Sequence, residues 1–186
     1  MKVVVLEEHG YEAALLGLSL SYRQDPTRMP AVARRLRFLG DGHNKFLESI
    51  VVWLDMTAPR YFWQQFDTYR VGVTKQSEST MHTLTSRPLA PGDFAHPVPG
   101  EYLAHLNRLI GEDDWEEAKA ALPESLFQRR IVCLNYMVLQ RMVRQRRTHR
   151  LPEWRTFIAE VLENVEHPEL LDDEEGRDGV RSPIGS

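Results

Sequence analysis

Cysteine is almost absent from this chain: Cys133 is the only one in 186 residues. A lone thiol excludes an internal disulfide framework and any cysteine-cluster zinc site. Set between Val132 and Leu134, it reads as a buried, inert side chain rather than an activated thiolate. The seven histidines contain no i, i+4 pair, so the helical metal-binding motif is missing too. Neither a Walker loop nor a dinucleotide-binding glycine fingerprint occurs. Apolar runs are only a few residues long, which excludes a transmembrane helix. The start, MKVVVLEEHG, acquires Glu7 and Glu8 too soon for a signal peptide. Together these absences point to a cytoplasmic protein with no membrane partner.

What is present is an ordinary globular composition, long enough for one domain with a real core and cramped for two. The net charge of −4 is unevenly spread. Residues 160–186 carry nine acidic and two basic side chains, whereas residues 1–159 carry 21 basic and 18 acidic. The expected organisation is a single catalytic-type domain over 1–171, followed by an acidic tail over 172–186. That tail has too little apolar surface to offset its ordering entropy and is expected to be disordered.

The periodicity predicts a mixed α/β fold with a small sheet and long helices. Residues 2–6, with three consecutive valines, read as a buried strand, and 11–22 as a helix. A helix is expected over 29–39, stopped by Gly40 and Gly42. Residues 49–56 (SIVVWLDM) read as a second strand, ended by Ala58-Pro59. A helix over 60–67 and a short extended segment over 70–74 follow. Four prolines within 88–99 mark a surface loop. Helices are expected over 102–110 and 114–122. A long helix over 124–147, opened by Pro123, is predicted from Phe127, Ile131, Leu134, Val138 and Met142 at helical spacing. A last helix covers 153–165.

Two features carry chemical potential. The stretch 57–82 passes from buried-looking aromatics and glutamines into a polar run, the kind of junction that holds a small charged ligand. The predicted long helix carries Arg129 and Arg130, then Arg141, Arg144, Arg146, Arg147 and Arg150 within ten residues. Cations there complement a helix C-terminus, but five exceed what capping needs. Guanidinium forks suit phosphate and pyrimidine carbonyl oxygens. The residues alone leave three readings open: a phosphate-bearing ligand, nucleic acid, or a solvated face. His43, in a loop after a glycine, is by its residue type more often a surface histidine than a site, and both readings stay open.

In order and spacing, residues 1–165 resemble the flavin-dependent thymidylate synthases. The resemblance rests on Ser21-Tyr22 after the first helix, Gly42-His43 ahead of a strand, and Ala58-Pro59 followed by Thr68-Tyr69-Arg70. It also rests on Ala118-Lys119-Ala120-Ala121-Leu122-Pro123, and on Asn135 and Arg146 eleven residues apart. Thr68-Tyr69 stand where the family has Arg-His, eight residues rather than seven separate Arg70 from Ser79, and Met81-His82 replace Arg-Tyr. The resemblance implies a homotetramer with active sites at subunit junctions, in which FAD accepts hydride from NADPH. A methylene from methylenetetrahydrofolate would pass to C5 of dUMP, giving dTMP, with no enzyme cysteine. It implies flavin or folate contacts at His43, Tyr69, Arg70 and Asn135. Contacts to the pyrimidine deoxynucleotide would come from Gln76, Ser77, Ser79, Lys119, Arg146 and Arg147, with Arg146 as the catalytic candidate.

The departures motivate two alternatives: the same flavin fold with altered chemistry (C5 hydroxymethylation, or dCMP as substrate), or a non-catalytic protein binding nucleotides or, least expected, nucleic acid.

Overall fold

A computed structural model of the protein describes residues 1–172, apart from the side chains of Met81 and Thr85. The predicted acidic tail lies outside the described residues from residue 173 onward.

The frame is a four-stranded antiparallel sheet of strands β1 (Lys2–His9), β2 (Val51–Pro59), β3 (Val73–Ser77) and β4 (Phe127–Asn135), in the spatial order β1-β2-β4-β3. On β2 the alternate residues Val52, Leu54, Met56 and Ala58 are completely buried, while Val51, Trp53, Asp55 and Thr57 are only partly covered. This period of two is what a strand with one core face dictates. Register carries the same face across the sheet, pairing Leu54 with Val132 and Val52 with Leu134. Helices cover that face: α1 (Tyr11–Tyr22), α2 (Met29–Leu36), α3 (Arg60–Phe66), α7 (Tyr136–Arg146) and α8 (Pro152–Asn164).

Where α3 meets α8, aromatic rings fill the core. Phe66 stacks on Trp154 with centroids 6.1 Å apart, and Phe62 and Phe157 close around the pair. A second cluster of buried apolar side chains, including Leu84, Phe94, Leu106 and Leu126, lies between β3 and β4 in sequence. It is built from α4 (Thr80–Thr83), α5 (Gly100–Gly111) and α6 (Trp115–Ala120). The proline-rich segment joins it through a bridge between Phe94 and Leu126.

The mixed α/β class and small sheet match the expectation, and the helix over 11–22 has the predicted bounds. The first strand runs on to His9, and the second starts at Val51 and reaches Pro59. The predicted extended segment 70–74 is displaced: the strand is Val73–Ser77. The helix predicted over 29–39 ends at Leu36.

The main correction concerns 124–147, which is not one helix but β4 followed by α7. Both faces of β4 carry apolar residues, so Ile131 to Leu134 is a continuous run whose period is ambiguous. Asn135 makes the switch: its backbone is extended, and its side chain accepts a hydrogen bond from the Val138 N–H at 3.0 Å. That is an N-cap, and the helix starts at Tyr136, twelve residues after the predicted start at 124. Pro123 accordingly lies in the turn before β4, where its carbonyl accepts from the Leu126 N–H.

Gly10 joins β1 to α1 at φ +98°, and a Cβ there would stand 2.2 Å from the Ser49 carbonyl oxygen. Gly10→Ala therefore combines backbone strain with a clash against main chain. We expect it to cost about 2–4 kcal/mol in chemical denaturation, whereas Gly92→Ala, with open space around it, stays within about 0.5 kcal/mol.

Candidate functional site

The segment after α3 turns at Asp67 and Thr68 and drops Tyr69 into the core, only 4% exposed. A buried phenol needs partners for its hydroxyl. Tyr69 Oη donates to Gln145 Oε1 at 2.9 Å and accepts from Arg146 Nε at 2.9 Å. Arg146 Nη1 also donates to Gln65 Oε1 at 3.3 Å, and its guanidinium lies 5.0 Å from the Trp154 ring centroid. Thus α3, the signature stretch, the last turn of α7 and α8 converge on one arginine. Among the described residues no acceptor reaches Nη2, whose two N–H donors remain for a ligand.

A second ionic cluster pins the same stretch from the other side. Asp67 accepts from Lys75 Nζ at 2.7 Å and from Arg130 Nη1 at 3.0 Å, while Arg130 lies 4.4 Å from the Trp63 ring centroid. Burial pushes the Asp67 carboxyl up, but the hydrogen bonds and charges of Lys75 and Arg130 outweigh it and hold the group below the usual carboxylate range. Arg129, on the opposite face of β4, makes a two-point bond to Asp55. Arg129 and Arg130, expected along a helix, are therefore strand residues already paired with Asp55 and Asp67.

Two cavities stand out, one at the end of α7 and one between α1 and residues 41–49. One, of about 880 Å³, is lined by Gln64, Gln65, Gln145, His149 and Arg150 together with Tyr61 and Glu153. Tyr61 donates a short hydrogen bond to Glu153 there. Burial, with the charge of Arg146, lowers the pKa of His149. The other cavity, of about 590 Å³, is lined by Ser21, Tyr22, Gly42, His43 and Lys45. Tyr22 and Gly42, 20 residues apart in sequence, thereby share one wall.

The remaining expected residues are more dispersed. Asn135 caps α7 near the second cavity, since Asn44, close to His43 in sequence, reaches Met137 in the first turn of α7. A Cβ at Gly72 would meet the Asn135 amide at 3.0 Å, so the chain after Arg70 runs against that cap. Arg70 itself is exposed. Gln76 and Ser77 are exposed on the edge strand β3, not in a turn. Ser79 precedes α4, and its carbonyl accepts from the His82 and Thr83 N–H groups. Lys119 is exposed on α6, which packs against α4. Arg147 pairs with Asp172.

Cys133 is not in a helix: it faces the open side of the sheet opposite Trp53 and Thr74, half-buried, and burial raises its pKa. Gln65, Gln145 and Trp154 were not singled out by the sequence. Only the glutamine-rich character of 57–82 hinted at the first, and nothing marked the other two.

These placements give two tests. Tyr69→Phe removes the shared hydroxyl and should destabilise by about 1–2 kcal/mol, while Arg70→Ala stays within about 0.5 kcal/mol; urea denaturation distinguishes them. Because the folded-state pKa of Asp67 is depressed, its contribution is present above the unfolded carboxyl pKa and disappears as pH falls through the lower folded value. Asp67→Asn should lower stability at neutral pH and flatten the acid limb of the stability curve below about pH 4.

No protein-family model matches this sequence, and no curated protein matches it significantly. Solved structures do match. A flavin-dependent thymidylate synthase (ThyX) from Helicobacter pylori, complexed with FAD and dUMP, superposes with a TM-score of 0.78. The identity is 18%, over 92% of this chain and 98% of that one. A second structure of the Helicobacter pylori enzyme with FAD and dUMP gives a TM-score of 0.78 at 19% identity, over 92% and 97%. Over 92% of its length, the chain has the fold of the flavin-dependent thymidylate synthases.

Proposed function

We propose that the protein is a flavin-dependent pyrimidine C5-methylating enzyme, converting dUMP to dTMP with methylenetetrahydrofolate as carbon donor and NADPH as reductant. The observation that carries this reading is the anchored Arg146. Its orientation is fixed by Tyr69, Gln65 and Trp154, and its Nη2 is still available. Such a preorganised fork suits a uracil carbonyl or a phosphate oxygen and would orient the nucleotide.

The residues at the second cavity fit a flavin. Gly42, at φ +82°, has no atom within 4 Å of where a Cβ would stand, so a ligand can approach its backbone. Beside it, Lys45, His43, Ser21 and the Tyr22 hydroxyl offer charge and hydrogen bonds to a pyrophosphate or ribityl chain. FAD bound there would supply hydride transfer. Among this chain's residues, His43 and Asn135 would position the ring system, and Arg70 would lie beside it. Ser79, Lys119, Gln76 and Ser77 would meet the nucleotide from the far edge of the sheet.

Asn135 and Arg146 sit at opposite ends of α7, which by helical rise are about 16 Å apart. A site uniting them with β3 therefore draws on more than one chain, in keeping with a homotetramer. Helix α1 supports this: its Leu16 and Leu20 are 54% and 74% exposed, and Leu6 on β1 is 49% exposed. Apolar side chains so exposed belong at an interface.

One observation favours the altered-chemistry reading. Tyr69 occupies the signature histidine's place, yet it is buried with its hydroxyl already shared. It cannot offer a ring nitrogen to a cofactor.

Incubating the protein with FAD, NADPH, methylenetetrahydrofolate and either dUMP or dCMP, and identifying the pyrimidine product by mass, separates these readings. dTMP supports the first, and a hydroxymethylated or cytosine product supports the second. Nucleotide binding without any product leaves the non-catalytic reading. Arg146→Met should weaken nucleotide binding by about 2–3 kcal/mol, while Arg35→Ala leaves it unchanged; equal effects would remove Arg146 from the site. Leu16→Glu with Leu20→Glu should dissociate the assembly in light scattering, and an unchanged mass would exclude α1 from the interface.

A further inference from the structure

Beside the first residue of α7, the end of β1 meets the segment that follows α8. Glu8 accepts from the Tyr136 hydroxyl at 2.5 Å and from the Glu166 N–H at 2.9 Å. A carboxylate has about four acceptor sites, so each oxygen keeps one to spare. The Glu166 carboxylate and the His167 imidazole converge on the same point, with one donor atom from each of the three residues lying within 4.8 Å of the others.

The imidazole is fixed in place. It stacks on Tyr11 with centroids 3.4 Å apart at 15°, and its Nδ1 lies 3.6 Å from the Glu169 carboxylate. A ligating histidine is characteristically oriented by a neighbouring carboxylate in this way. Glu7, Glu160 and Asn164 add oxygens around an adjoining cavity of about 360 Å³ that Glu8 and Glu166 also line. Among the described residues no lysine or arginine pairs with Glu8, Glu166 or Glu160. Negative charge here is uncompensated by protein.

The geometry points to a divalent metal site formed by Glu8, Glu166 and His167, completed by water. One imidazole with two carboxylates suits a first-row transition ion such as zinc or manganese better than calcium or magnesium. Its role is structural: the ion would clasp the segment after α8 onto β1, at the opposite end of α7 from Arg146.

The test is calorimetric titration of zinc chloride into the chelator-treated full chain, with thermal melting in parallel. One zinc per chain and a raised melting temperature are expected. Glu166→Gln keeps the backbone bond to Glu8, and His167→Gln keeps a polar side chain; each should weaken zinc binding more than about tenfold. Glu101→Gln, an exposed carboxylate on α5, should leave it unchanged. Absence of saturable binding, equal binding by both ligand variants, or an equal loss on Glu101→Gln would overturn the site. None of these outcomes depends on flavin or nucleotide chemistry.

Discussion

The pairing of β2 with both of its neighbours is the constraint on which the structure depends. One face of β2 is sealed by complete burial of Val52, Leu54, Met56 and Ala58, and both of its edges are hydrogen-bonded. Because side chains alternate, no slip of register is tolerated: a shift by one would expose that whole row. Pro59 ends the strand without needing a donor and opens α3 directly. The position of Tyr69 is thereby set by the core of the sheet rather than by a free loop.

This explains how an arginine can be held for recognition without costing the fold its order. Arg146 is surrounded by groups that are themselves immobilised: Tyr69 by burial, Trp154 by its stack on Phe66, and Gln65 by α3. A guanidinium with two N–H groups free and the rest engaged presents a fixed fork, which loses less entropy on binding than a flexible lysine. Across β3 and β4, the Asp67–Lys75–Arg130 cluster keeps the same turn from moving the other way.

Most of the sheet side was legible from the residues. Three valines in a row, the SIVVWLDM run and the Ala58-Pro59 stop are local signals, and local signals place elements well. The segment 124–147 was not legible, because β4 is flanked by protein on one face and half-covered on the other. Its apolar run then satisfied a helical period by coincidence. Reading Asn135 as a cap would have divided the segment correctly. At the site, Ser21-Tyr22 and Gly42-His43 stood out only as separate motifs, and it is the packing of α1 against the segment 45–49 that brings them to one cavity. The partners of Tyr69 could not be foreseen, since Gln145 and Trp154 meet it only through the packing of α7 and α8. The placement of Arg129 and Arg130 on a strand rather than a helix corrects the same misread period.

The central claim is that this fold, at 18–19% identity to its solved counterparts, still serves flavin chemistry on a pyrimidine nucleotide. The most direct measurement is the visible spectrum of the purified protein equilibrated with FAD, freed of excess, and then given NADPH without oxygen. The account predicts a retained flavin band near its usual yellow absorbance that bleaches on addition of NADPH. A protein that emerges colourless after saturation with FAD would contradict it.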